Sequence, residues 1–379
     1  MELDLTSDQE LLRETAARFI EDTCPLLAVR RLADASADID RGYLSAAGEL
    51  GWFAMLVPEE HGGGSISGEG LRDLAIVAEE RGRVIQPGPF IPMNVVAAAL
   101  AAAGSADHQA SVLPEIASGT TVATWVVGDE GGAWAPGATL KASHRGEDFS
   151  LAGHAGLVQN AGLADWFLVT AGGLDGLSQF LIPATSTGIT IKALKAHDIT
   201  RPFAVVSFDD VEVPTAALVG RAGEAASQVD HQFNIALVLS MAETIGAADA
   251  LFELTRTYAI DRTAFGRPIG SFQSIKHQLA DLSLSLEAGK AVVVEATRAL
   301  QTGVDNAGEI ASIAKAWLGD TGIDIVQGCF QVFGGIGYTW EHDLHLYLRR
   351  ITMNGLLYGQ ADWHRGRICA FHGLSKATL

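Results

Sequence analysis

The chain has 379 residues, a net charge of −19 and 48% apolar residues, long enough to bury a core without metals or disulfides and of the wrong sign to wrap nucleic acid or an anionic membrane. No stretch is expected to supply the ~20 uncharged apolar residues of a membrane span, and the opening MELDLTSDQELLRE is acidic where an export signal is basic, so a cytoplasmic location is expected. Cys24, Cys329 and Cys369 form no CxxC pair, which suggests neither a disulfide framework nor a thiolate metal site.

Residues 1–119 read as an N-terminal helical domain. Leu11, Leu12, Ala16, Phe19 and Ile20 recur at helical spacing, followed by apolar runs at 44–50, 71–78 and 95–103. Ser7, with Glu10 three residues on, is the expected capping box of the first helix. The glycine-rich PEEHGGGSISGEG at 58–70 reads as a connector between helices.

Residues 120–218 change period. ATWVV, FSLAG, WFLVTA, FLIPA, GITIKAL and FAVVSF are short runs rich in β-branched and aromatic residues, divided by Gly, Pro and Asp turn signals. The gaps are too short for crossover helices, so an antiparallel β-domain is expected. From 219 to 379 long helices return, at about 222–258, 272–302, 307–333 and 342–372, with breakers GRPIGS, TGVDN and GGIGYT where they end. A C-terminal four-helix bundle follows, and the fold class is α+β multidomain.

Two stretches at the joints of this bundle stand out: YAIDRTAFGRPIGSFQSIKHQLAD at 258–281 and QVFGGIGY at 331–338. With the helical, β, helical order, they resemble the acyl-CoA dehydrogenase family across essentially the whole chain. The resemblance implies FAD as cofactor, an acyl-CoA thioester as substrate, an electron-transfer flavoprotein-like acceptor, and a homo- or hetero-oligomer, dimer or tetramer. It also implies that Arg262, Phe265 and Gln273 reach the adenine-dinucleotide part of a neighbouring subunit's flavin, with Gln331, Gly334 and Gly335 beside the pyrophosphate and ribose. The chemistry of these residues agrees. A guanidinium fork suits a diphosphate, Phe packs on a flat ring, and glycines let backbone amides approach closely.

The catalytic base is where the sequence departs from that family. Members oxidise the Cα–Cβ bond of the thioester, a carboxylate taking the α-proton as hydride leaves for the flavin. The base usually follows a Tyr near the C-terminus, but here Tyr358 is followed by Gly359, and a second known location aligns near Ala236. Two replacements are candidates. Glu243 is the lone charge between Asp230 and Asp249, seven residues after Ala236 and so about two turns or ~10 Å along the same helix face, where burial is expected to raise its pKa. Asp362, four residues after Tyr358, is the other.

The middle domain departs too. The family's TEPGAGSD loop reads TWVVGDEGGAW, and a Trp-Ile-Thr strand beside the flavin is replaced by Leu157, Val158 and Gln159. This pattern resembles subunits of heteromeric actinobacterial-type members acting on bulky CoA thioesters, where one subunit type keeps the base and the other does not. A base-less subunit, a homomer with a displaced base, a non-catalytic partner subunit, and a flavin oxidase or monooxygenase on the same fold all stand open. His342 and His345 beside Glu341 lack HExxH spacing, so no metal is expected. Arg349 and Arg350 are placed against CoA phosphates or the acidic surface, and no GxSxG elbow is present.

Overall fold

The computed structural model describes residues 5–128, 134–173 and 175–374. Helices α1 (Ser7–Thr23), α2 (Leu26–Ala35), α3 (Arg41–Glu49), α4 (Gly70–Arg83), α5 (Phe90–Ala103) and α6 (Leu113–Ala117) come first. The capping box sits one residue earlier than expected: the Thr6 hydroxyl accepts the Gln9 N–H at 3.3 Å and the Gln9 side chain accepts the Thr6 N–H at 3.2 Å. Gln9 rather than Glu10 closes it because Gln9 is buried and its amide also donates to Asp73 of α4 at 3.3 Å, tying the first helix to the domain.

Strands β1 (Ala123–Val126), β2 (Gly137–Arg145), β3 (Asp148–Gln159), β4 (Trp166–Gly173), β5 (Gly176–Pro183), β6 (Ile189–Leu194), β7 (Phe203–Val213) and β8 (Leu218–Val219) form one sheet in the order β6-β7-β3-β2-β4-β5-β8, with β1 on β4. The sheet is mixed rather than antiparallel throughout, since β4 runs parallel to both β1 and β2. The crossover that a parallel pair requires is supplied by β3. That strand pairs with the far side of β2 before the chain returns as β4, so short gaps suffice without a helix.

The last part holds α7 (Ala226–Asp261), α8 (Gln273–Thr302), α9 (Ala307–Phe333), α10 (Leu344–Leu356) and α11 (Ala361–Phe371). α7 is apolar and long enough to cross a membrane by length and composition, but it is largely buried against α4, α8 and α9. It meets α4 backbone to backbone: a Cβ at Gly82 would lie 2.1 Å from the Glu243 carbonyl, and one at Gly246 1.8 Å from the Glu79 carbonyl. Only glycine permits this crossing, and the crossing brings Glu243 under the first domain. The expected fourth helix is broken in two, because Tyr358 and Gly359 take φ of +58° and +88° and successive left-handed residues end a right-handed helix. Between α7 and α8, β9 (Thr263–Ala264) and β10 (Arg267–Pro268) form a hairpin. Its tip, Phe265–Gly266, has φ of +53° and +79°, the signature of a tight type I′ turn.

Candidate functional site

The two joint motifs meet at one end of the bundle. Tyr258, a turn before the end of α7, stacks on Phe333, the last residue of α9, at 4.3 Å and 19°. The Tyr258 carbonyl accepts the Arg262 N–H at 2.8 Å, and the Arg262 carbonyl accepts the Ile269 N–H at 2.8 Å, which fixes the hairpin. Its tip presents Phe265 at 95% exposure, with Phe272 edge-on at 6.2 Å and the Arg267 guanidinium 4.1 Å from the Phe272 ring. Arg262, Gln273, Gln331 and Gly335 are exposed around this end.

This end fits the adenosine-diphosphate half of FAD. Gly334 has φ +64° and ψ −144°, a conformation left to glycine, and a Cβ at Gly334 or Gly335 would meet nothing within 4 Å. Open backbone beside an exposed guanidinium and an exposed, flat Phe265 is a donor set and platform for a pyrophosphate and an adenine.

The second part of the site is a cleft between the sheet and the two helical domains, holding about 580 Å³ of empty space with its open mouth, and bordered by Trp125, Val127, Trp134, Leu157, Phe203 and Tyr358 among others. Among the described residues, no carboxylate lines it. Trp125 is 5% exposed and its indole Nε1 has no hydrogen-bond partner among the described residues, so this buried N–H is a donor the wall offers a ligand. Leu157 sits on the cleft with φ +52°. Val158 is in the core, and Gln159 donates its amide to the Gly88 carbonyl at 3.1 Å. Of the loop that replaces TEPGAGSD, residues 129–133 lie outside the described residues.

The usual base position is rebuilt. A Cβ at Gly359 would lie 2.6 Å from the Trp363 ring and 3.1 Å from His364 Nε2. That nitrogen donates to the Tyr358 carbonyl at 2.8 Å, and burial pushes the His364 pKa down to about 3, so the ring is neutral. Behind it runs a file of rings: Trp125 to Trp134 at 5.6 Å, Trp134 to Phe233 at 4.2 Å, Phe233 to Trp363 at 5.8 Å. Sequence reasoning missed this file, because its members come from four separate segments. The one local signal was a Trp on each side of GDEGGA. Burial also pushes the Tyr358 phenol up to about 12, so it stays protonated. The alternative position, Ala236, is fully buried core.

The expectation for the Glu243 pKa is corrected. Burial alone would raise it, but Arg201 and Arg350 outweigh burial and hold the carboxyl below its ordinary value. Arg350 Nη1 meets one oxygen at 2.5 Å, Arg201 Nη2 donates to the other, and Asn354 adds a donor at 3.3 Å. Both oxygens are thus engaged away from the cleft lining. Asp362 stands at the start of α11 with its side chain 93% exposed, paired with Arg365 at 2.6 Å, and does not line the cleft either.

The expectation for Arg350 is corrected as well: it is fully buried, bonded to Asp198 at 2.5 Å and Thr200 at 2.6 Å as well as Glu243. Arg349 donates to the His197 carbonyl at 2.8 Å. His342 packs edge-on to Phe333 and His345 stacks on Trp340.

Residues 6–120 match the acyl-CoA dehydrogenase N-terminal domain and residues 226–371 the acyl-CoA dehydrogenase C-terminal domain. Acyl-CoA dehydrogenase IpdE2 of Mycobacterium tuberculosis is 33% identical over 350 residues, 90% of each chain. Acyl-CoA dehydrogenase FadE34 of the same species is 30% identical over 366 residues, which span 94% of this chain and 46% of its own. Among solved structures, the glutaryl-coenzyme A dehydrogenase glutaryl-CoA complex superposes with a TM-score of 0.91 at 23% identity, covering 100% of this chain and 98% of that one, a likeness of fold. A variant of the Tcur3481-Tcur3483 steroid ACAD superposes at 0.85 with 27% identity, covering 97% and 99%.

Proposed function

Since the chain belongs to the acyl-CoA dehydrogenase family, we propose that it works as one subunit of a heteromeric, FAD-dependent dehydrogenase of acyl-CoA thioesters, lending the adenosine-diphosphate side of a flavin site while a second chain supplies the base. The observation that carries this reading is Gly359, with Trp363 packed where a base side chain would start. A base-less homomer could not take the α-proton, and the two remaining candidate carboxylates, Glu243 and Asp362, stand off the cleft in ion pairs.

FAD, when bound, supplies the acceptor for the hydride leaving Cβ. Arg262 and the Gly334–Gly335 backbone would hold its diphosphate, Phe265 its adenine face, and Gln273 and Gln331 its polar edges. Phe265, 95% exposed at the tip of the β9–β10 hairpin, has its ring face open to a flat group held by another subunit. Two relatives support pairing: the steroid ACAD at 27% identity is named as a Tcur3481-Tcur3483 pair, and FadE34 has room beyond the matched 46% for a second unit of this size.

The test is turnover by the chain alone and in a mixture. Expressed alone, it should not oxidise any acyl-CoA with an electron-transfer flavoprotein or artificial acceptor. Co-expressed with an acyl-CoA dehydrogenase-type chain bearing Glu after the corresponding Tyr, it should co-purify at fixed ratio and the pair should turn over. Turnover by the chain alone would overturn the reading.

A further inference from the structure

Arg30 belongs to the first domain, yet among the described residues its polar contacts beyond its own helix go to one loop of the last. It lies on α2 one turn after Leu26, so both side chains share a face. Leu26 packs against the bundle core beside Tyr258. Arg30 Nη1 donates to Asp343 Oδ1 at 2.7 Å and to the Glu341 carbonyl at 3.3 Å, and Nη2 donates to the Trp340 carbonyl, with the side chain 17% exposed. Three acceptors within four consecutive residues are gathered by one planar fork.

That loop starts where the glycine turn Gly334–Tyr338 ends, the Thr339 N–H donating to the Ile336 carbonyl at 3.2 Å. Within it, His342 Nδ1 accepts the Leu344 N–H at 3.2 Å, and the His342 ring stands edge-on to Phe333 at 4.9 Å. Phe333 stacks on Tyr258, and the Tyr258 carbonyl holds the Arg262 N–H. An unbroken series of contacts therefore runs from Arg30 through the loop to both halves of the dinucleotide end. Arg30 also neutralises Asp343, an acid at the edge of a site for an anion.

We propose that Arg30 is a positioning residue for FAD: from a different domain it fixes the spacing between Arg262 and the Gly334–Gly335 backbone. This rests on the reading that those residues hold FAD. The domains are already joined by the α4–α7 glycine crossing and by the buried Arg350 guanidinium donating to the Gln86 and Ile85 carbonyls, so the Arg30 clamp is not needed to dock them. Its effect falls on the loop.

The experiment measures FAD affinity, by fluorescence of cofactor released on dilution, in the full-length protein in whatever assembly it purifies. Melting temperature is recorded alongside. The variants are Arg30→Ala, Arg30→Lys, Gln331→Ala, and the control Arg145→Ala, which breaks a surface pair with Glu212 on the sheet. Arg30→Ala and Gln331→Ala should each weaken FAD by about tenfold, the scale of losing a supporting partner, with the melting temperature of Arg30→Ala near that of the control. Arg30→Lys should recover part of the affinity, since an ammonium reaches Asp343 but not both carbonyls at once. If Gln331→Ala weakens FAD and Arg30→Ala does not, the dinucleotide reading stands and the proposal for Arg30 is overturned. If Arg30→Ala loses FAD only in step with a lower melting temperature and Lys rescues neither, Arg30 is a structural clamp and the proposal is equally overturned. If Gln331→Ala leaves affinity unchanged, the dinucleotide reading fails, and the role of Arg30 falls with it.

Discussion

Glu243 and Arg350 meet at 2.5 Å in a joint where α7, α10 and the segment between β6 and β7 converge, with Arg201 on the other carboxylate oxygen and Asp198 on the other side of Arg350. Two cations and two anions, all buried, balance in charge. Removing one partner leaves an unpaired buried charge, which costs about 3–5 kcal/mol. Glu243→Gln should therefore lower unfolding free energy by roughly that amount, measured by urea denaturation. The folded pKa of Glu243 is lowered, so its contribution is fully present above the ordinary carboxylate value of about 4.3 and is lost as pH falls through the folded value. The gap between wild type and variant should close in acid. Unchanged stability with turnover abolished would instead make Glu243 the base.

Restoring a Glu after Tyr358 should not restore a base. Gly359 has φ +88°, and any Cβ there lies 2.6 Å from the Trp363 ring. Gly359→Glu should destabilise the chain by about 1–3 kcal/mol through strain and overpacking and give no acyl-CoA oxidation by the chain alone. Adding Trp363→Ala should recover part of the stability by opening the space, as read by thermal melting. Oxidation by the single variant would contradict this packing.

Much of this was legible beforehand and some was not, for a physical reason. The helical and strand runs follow local periodicity, and the Arg262 and Gly334 motifs are contiguous, so both could be placed at the joints of the bundle from the sequence. The empty positions at Gly359 and Ala236 were equally visible. The partners of Glu243 were not: Arg201 and Arg350 lie 42 and 107 residues away, and local sequence carries no signal of such a pairing, so burial alone predicted the wrong direction of pKa shift. Likewise Tyr358–Gly359 reads as part of one helix until the left-handed backbone is seen. The strand crossover that makes the sheet mixed depends on where β3 lies, not on the lengths of the gaps.

Phe265 separates folding from assembly. At 95% exposure it contributes little to the chain's own core, so Phe265→Ala should change melting of the dissociated chain by no more than about 0.5 kcal/mol. The same variant should weaken the association of subunits and the retention of FAD, measured by sedimentation across a dilution series. Equal loss of monomer stability would mean that the hairpin tip serves the fold.

Lys315 on α9 is 2% exposed and its ammonium nitrogen donates to the Asn354 carbonyl. Burial pushes its pKa down to about 7, so the unfolded chain binds more protons between about pH 7 and about pH 10.4, and stability should rise with pH across that window. Lys315→Met should be more stable than wild type near pH 6 by roughly 1–3 kcal/mol, with the advantage shrinking toward pH 10. Denaturant midpoints at a series of pH values read this directly, and a pH-independent difference would mean that the amine is not perturbed.

The most direct test of the central claim is anaerobic titration of the purified chain with acyl-CoA esters, short, long and steroid-like, followed in the visible spectrum, first alone and then with a base-bearing partner chain. The account predicts that no ester bleaches flavin in the chain alone, while one ester class bleaches it in the mixed assembly. Bleaching by the chain alone, at a rate that the partner does not change, would contradict it.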